Sequence, residues 1–279
     1  MKGAVMPVSP AERCARAVLT LFPRDIALHA GGAEAGVRDL RTRLDIDPDD
    51  LLAAHTAAGW RLLCPGDDEW PTALTRSGLA PVALWARGNG HLTRLTARSV
   101  AVTGTRAPSP HGARHTGLLA HGVVTATPPV TVMATAGSGV GVQALAAAAP
   151  DGPTVAVLAP TSLSRHPGLL EMVMAHGVAL SDAPPLGPSA HDAPQRRLVM
   201  RTALLAALAS ALLVVEAEET GSVMDAARVA HRQGRMVMAV PPEEHADLRR
   251  YSGCGQLLRG AVAIPVTTAT AITSHLPAA

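Results

Sequence analysis

From residue 99 onward, six short runs rich in β-branched and other apolar residues recur along the chain, at 99–104, 131–137, 154–160, 178–184, 211–217 and 236–242. Each ends near Gly, Pro, Asp or Glu, and helix-compatible stretches separate them. Strands joined through an intervening helix return to the same end of a sheet and so lie parallel. The pattern therefore predicts an α/β protein with a mostly parallel sheet and helices on both faces. Ligands of such sheets bind beyond the carboxyl ends of the strands. The loops after Gly104, Gly137, Pro160, Asp182 and Glu216 are accordingly expected on one rim.

Ahead of these runs the texture differs. Between Pro10 and Gly59 the apolar spacing is helical, at 11–22, 37–44 and 47–59. Asp47 or Asp49 suits the start of the last helix and Gly59 its stop. This predicts a small helical appendage over 1–64, similar to SAM or helix-hairpin-helix modules. A loop-rich connector follows over 65–98, punctuated by Pro65, Gly66, Pro71, Gly78, Pro81, Gly88 and Gly90. The α/β core then occupies 99–279. Trp60, Trp70 and Trp85 fall in the first two parts, where burial is expected of them.

Hydrophobic residues make up 48% of the 279 positions and aromatics only 2%, so core layers are built from small side chains and should approach closely. With 24 basic against 22 acidic residues the net charge is +2, and any polyanion site must be local rather than global. Lys2 is the sole lysine; the positive charge is almost all guanidinium, which suits bidentate oxyanion contacts. Cys14, Cys64 and Cys254 form neither a disulfide framework nor a zinc spacing, which fits a reducing cytoplasm. No secretory leader is evident in the first ten residues. The apolar stretch 203–215 is too short to span a bilayer and reads as a helix end feeding a buried strand.

The stretch 99–112 carries the clearest chemical signal. A buried strand breaks at Gly104 into a loop bearing Arg106, and a helix expected over 111–121 contains Gly112. Unpaired N–H groups at that helix start would face an anion, with Arg106 adding a charge-assisted contact. Neither GxGxxG nor GxxxxGK[ST] is present. Gly137, Gly139 and Gly141 could expose further N–H groups as an anion nest. Arg197 and Arg201 stand four apart, on one helical face. Arg228, Arg232 and Arg235 are read as a solvent or dimer face. Glu216 lacks partners with metal-ligand or glycosidase spacing. Its expected role is hydrogen bonding to the turn at Thr220, Gly221 and Ser222, with Ser222 capping the next helix. No catalytic residue, metal or cofactor is implied.

Taken in order, these segments resemble the DprA/Smf family of DNA-processing proteins. The resemblance runs from about Asp67 to Ala261. Trp70-Pro71, Pro81, Leu84-Trp85 and Gly88 look like the family's entry pattern. Gly104-Thr105-Arg106 with Ser109 and Gly112 resembles its GSR-x-x-S-x-x-G signature. Ser181-Asp182 with Pro184, Val214-Val215-Glu216-Ala217, Thr220-Gly221-Ser222 and Gly234-Arg235 continue the series. The chain also departs from the family. The Ser-Gly-x-Ala-x-Gly-Ile-Asp loop is here Ala134 to Gly141, a following histidine is Leu145, and an Arg-Asn-Arg motif is Arg201-Thr202-Ala203.

The resemblance implies a Rossmann-like core and a non-catalytic protein that binds single-stranded DNA. It further implies a homodimer that loads a RecA-type recombinase in natural transformation or recombination, with no membrane partner. Gly104, Thr105, Arg106, Ser109, Gly112, Gly137, Gly139, Arg197 and Arg201 are the expected phosphate contacts, supported by Glu216, Gly221 and Ser222. Two other readings stay open: a nucleotide-binding sensor or nucleoside-phosphate hydrolase on the same fold, and a dimeric interaction protein without a ligand.

Overall fold

The computed structural model describes residues 8–21, 47–158, 162–186, 194–242 and 247–277, with the side chains of 194–199 outside that description. Among the described residues, helices α1 (Pro10–Leu19) and α2 (Pro48–Ala57) come first. β1 (Arg61–Leu63), α3 (Thr72–Arg76), β2 (Leu84–Arg87) and α4 (Leu92–Ala97) follow. The core then alternates: β3 (Ser99–Thr103), α5 (Pro110–Val124), β4 (Thr131–Thr135), α6 (Val140–Ala148) and β5 (Thr154–Val157). Next are α7 (Ser162–Arg165), α8 (Pro167–His176), β6 (Val178–Ser181), α9 (Pro194–Leu208) and β7 (Ala211–Val214). α10 (Ser222–Arg232), β8 (Met236–Ala239), α11 (Ser252–Arg259), β9 (Ile264–Pro265) and α12 (Ala269–Ser274) complete the chain.

All six apolar runs become strands, β3 to β8. The sheet order is β1-β2-β6-β5-β4-β3-β7-β8-β9. Pairing is parallel from β6 to β9, while β1 and β2 join antiparallel at one edge. The chain winds outward from β3 through β4 and β5 to β6, then returns to the other side of β3 with β7. That reversal opens a crevice between the loops that follow β3 and β7.

Alternation along each strand sorts its side chains to two buried faces. Val100 and Val102 of β3 pack with Leu119, Val123 and Ala144 from α5 and α6. Ala101 points the other way, into a layer with Leu205, Leu208 and Ala227 from α9 and α10. Small residues dominate both layers, as the near absence of aromatics requires.

The expected boundaries at the amino-terminal side need correction. β1 falls inside the stretch read as helical, and the stretch read as a connector supplies β2 with two short helices. Register explains this: Leu84 pairs with Leu63 and Trp85 with Ser181, so a four-residue run too short to signal itself is held by neighbours on both sides. Asp47 caps α2 as expected, accepting from the Asp49 N–H at 2.8 Å, and Gly59 follows at φ +81°. Trp60, Trp70 and Trp85 are all buried. Arg13 of α1 ties the helices to the sheet through both oxygens of Asp67, at 2.7 and 2.9 Å, and through the Leu62 carbonyl at 2.6 Å. The helical reading of 37–44 lies outside the described residues.

Candidate functional site

The carboxyl ends of β3, β4 and β7 frame a cavity of about 490 Å³. Gly104, Thr105 and Arg106 enter it from the loop after β3, and Gly137, Ser138 and Gly141 from the loop and helix after β4. Glu218, Gly221 and Ser222 come from the loop after β7, and Arg201 and Thr202 from α9. Three of the expected rim loops thus meet at one place. Asp182, in the loop after β6, pairs with Arg201 at 3.5 Å. Pro160 lies outside the described residues.

Two helices begin at this cavity, and both start on a glycine. Gly139 at φ +65° precedes α6, and Gly221 at φ +109° precedes α10; neither start has a side-chain cap. Positive φ favours glycine there, and uncapped first-turn N–H groups carry partial positive charge. Gly139 is fixed for a second reason. A Cβ on it would stand 2.3 Å from the Thr105 carbonyl oxygen and 2.5 Å from the Arg106 Cα. The Val140 N–H also donates to the Thr105 oxygen at 3.1 Å, and the Thr105 N–H donates to the Glu216 carbonyl at 2.7 Å. The Arg106 loop is therefore held between the end of β7 and the start of α6.

Side-chain environments differ sharply around the cavity. Arg106 is exposed, and no hydrogen bond or ion pair ties its side chain to another described residue. Arg201, only 4% exposed, is already engaged with the partly exposed Asp182, so it enters the site as one half of an ion pair. Glu218 is exposed on the same lining and opposes an incoming anion.

The expectation for α5 is corrected. Its start does not open onto a ligand; the carboxylate of Glu216, fully buried, occupies it. Glu216 accepts from the Ser109 N–H at 3.1 Å and from the Ser109 hydroxyl at 2.7 Å, while Ser109 Oγ caps the helix by accepting from the Gly112 N–H at 3.1 Å. A Cβ at Gly112 would meet Glu216 Oε2 at 2.1 Å. Ser109 and Gly112 serve this internal anion, which takes the electrostatic place a phosphate would have had. Among the described residues Glu216 does not bond the turn at Thr220 to Ser222 through its side chain; it also pairs with Arg250, at 3.3 Å. Arg250 also donates to the Ala107 carbonyl at 2.8 Å, bracing the Arg106 loop from outside. Tyr251 packs edge-on to His111, and burial, helped by the neighbouring Glu216 charge, pushes its phenol up to about 12.

Other expected residues are placed as follows. Ser222 is the first residue of α10, not its cap. The Arg197 side chain lies outside the described residues. Arg235 leaves the helical face shared by Arg228 and Arg232, because α10 ends at Arg232. Arg250 went unseen in the sequence, since it sits 34 positions from Glu216 in a stretch without a motif. Among the described residues no cluster of His, Cys, Asp and Glu is placed to hold a metal ion, and no helix is long and apolar enough to cross a membrane.

The winding, the cavity at the reversal of strand order and the two glycine-started helices define a Rossmann-like α/β protein with a donor-lined crevice. Residues 61–277 match the family described as DNA recombination-mediator protein A, and the chain belongs to that DprA/Smf family. It is 33% identical over 272 residues to a putative DNA processing protein DprA from Mycobacterium tuberculosis, covering 91% of this chain. A Protein Smf from Synechocystis is 26% identical over 230 residues, which cover 77% of this chain and 54% of that relative. The chain spans 64% of the length of the mycobacterial relative. Among solved structures, DNA processing protein A from Streptococcus pneumoniae superposes with a TM-score of 0.71 at 21% identity, covering 98% of this chain and all of the other. DNA processing protein A from Helicobacter pylori, studied for its single-stranded DNA binding mode, superposes at 0.60 with 20% identity over 77% of this chain and 94% of its own.

Proposed function

We propose that the cavity receives backbone phosphates of single-stranded DNA and that the protein acts by binding in DNA processing. The observation that carries this is the convergence of two uncapped helix starts, at Gly139 and Gly221, with the Arg106 guanidinium, which no other described residue engages. Partial positive charge at helix starts and a bidentate cation are what a phosphodiester requires. Gly104, Thr105, Gly137 and Gly139 let the backbone approach the strand, and Arg201 holds its place through Asp182. Among the described residues no aromatic side chain lines the cavity, so affinity comes from phosphates rather than stacked bases. Binding is then salt-dependent and tolerant of sequence. Family membership supports a homodimer and a RecA-type recombinase partner in recombination or transformation as the wider setting.

The cavity is also of a size that suits a small ligand. That keeps the nucleotide-sensor reading as the alternative. Titration of a labelled oligothymidylate across a salt series separates the two. Arg106→Glu should weaken binding and lower the salt slope by roughly 0.7 for the lost phosphate contact. Unchanged affinity and slope would remove the site. A large thermal shift with mononucleotides, without strand binding, would replace the reading with the alternative.

A further inference from the structure

A second cavity, of about 380 Å³, lies at the opposite end of α10, on the amino-terminal rim of the sheet. Ala73, Arg76, Ser77, Arg232, Gln233 and Arg235 line it. Three guanidinium groups are present and no carboxylate is among these residues. Arg76 and Arg232 are exposed, and no ion pair or hydrogen bond ties either side chain to another described residue. Arg235 is partly buried. It donates to the Ala209 carbonyl, to the Ala207 carbonyl at 2.5 Å and, through Nε, to Gln233 Oε1 at 3.3 Å. Gln233 in turn donates to the Ser77 carbonyl at 3.4 Å, fixing the floor between α3 and α10.

The plain explanation is that these arginines neutralise the carboxyl ends of α3, α9 and α10, which meet here. The magnitudes do not close. At roughly half a negative charge per helix end, three ends leave more than one full positive charge unmatched. Every partner of Arg235 is neutral, and burial without an anion pushes its guanidinium below the ordinary arginine range.

We propose that this arginine cavity is a second oxyanion site, built for a phosphate group. It lies roughly 16 Å from the first cavity, the length of the eleven-residue α10, and on the other rim. The phosphate is either part of a strand that wraps the sheet edge or a free phosphate compound. The site does not depend on the first cavity's ligand.

The test uses the intact chain at constant ionic strength, with pyrophosphate and with short and long oligothymidylates, comparing wild type, Arg76→Gln/Arg232→Gln and Arg106→Glu. Both glutamines sit on exposed positions, so the fold persists. Pyrophosphate binding should weaken about tenfold or more in the double variant and survive in Arg106→Glu. If the phosphate belongs to DNA, the double variant also loses roughly 1.4 from the salt slope with the long strand and nothing with the short one. If pyrophosphate alone is affected, the site stands and its phosphate is a free one. Equal pyrophosphate and strand binding by wild type and double variant overturns the proposal.

Discussion

The Ser109 hydroxyl donates to Glu216 Oε2 at 2.7 Å across 107 residues of sequence, joining the start of α5 to the end of β7 directly behind the Arg106 loop. A buried carboxylate with a charge-assisted donor of this kind contributes on the order of 2 kcal/mol. Glu216→Gln should lower the unfolding free energy by about that much, and Ser109→Ala by about 1–2 kcal/mol through the lost cap and bond. The double variant should cost less than the sum of the singles. Urea unfolding of all four proteins checks this; strict additivity would deny the coupling.

Two glycines of α5 should respond in opposite directions to alanine. At Gly112 the new Cβ would stand 2.1 Å from Glu216 Oε2, and the carboxylate must move. At Gly117 nothing lies within 4 Å, so the alanine adds only helix propensity, about 0.5–1 kcal/mol of stability. Thermal melts should show Gly112→Ala lowered and Gly117→Ala raised relative to wild type.

Gly139→Ala tests the joint between α6 and the Arg106 loop. It combines a positive φ with contacts inside 2.6 Å to the loop backbone, whereas Gly221→Ala has the positive φ and open space. Both should lose about 1 kcal/mol of stability from φ strain. Oligonucleotide affinity should fall about tenfold or more in Gly139→Ala, because the loop must shift, and far less in Gly221→Ala.

Removing the opposing carboxylate should help binding. Glu218→Gln is expected to strengthen oligonucleotide affinity by about threefold at low salt, with the gain shrinking as ionic strength rises. A weaker complex at low salt would mean that Glu218 does not face the strand.

The link between α1 and the sheet should be visible in acid. Burial pushes the Asp67 carboxyl up, but the Arg13 guanidinium and the Cys64 N–H outweigh it and hold the group below its ordinary value of 3.8. A group whose native value is depressed stabilises the fold fully above its unfolded value and loses that contribution as pH falls through the native one. Stability should therefore decline below about pH 4. Arg13→Gln should lose about 1 kcal/mol at neutral pH and show a flatter decline in acid.

Legibility in the sequence followed the physics of each feature. The six core strands were readable because a strand buried on both faces needs an uninterrupted apolar run, and a Gly, Pro or acidic residue marks its end. β2 was not, since pairing with β1 and β6 holds four residues that carry no pattern of their own. At the site, Gly104, Arg106, Gly137 and Gly139 were found from a glycine-rich loop after a strand and do line the cavity or its edge. Ser109 and Gly112 were found for a sound reason, an anion at a helix start, but the anion is Glu216. A sequence cannot say whether such a position is filled from within. Arg250 and the Arg201–Asp182 pair depend on distant segments meeting, which no local spacing encodes.

The Ser109 amide gives the Arg106 loop its own clock. Its proton is held by a carboxylate with no solvent exposure, so exchange with deuterium requires Glu216 to let go. The exchange rate of that one amide would time the opening of the loop in the free protein. A ligand that stiffens the loop would slow it without touching Ser109.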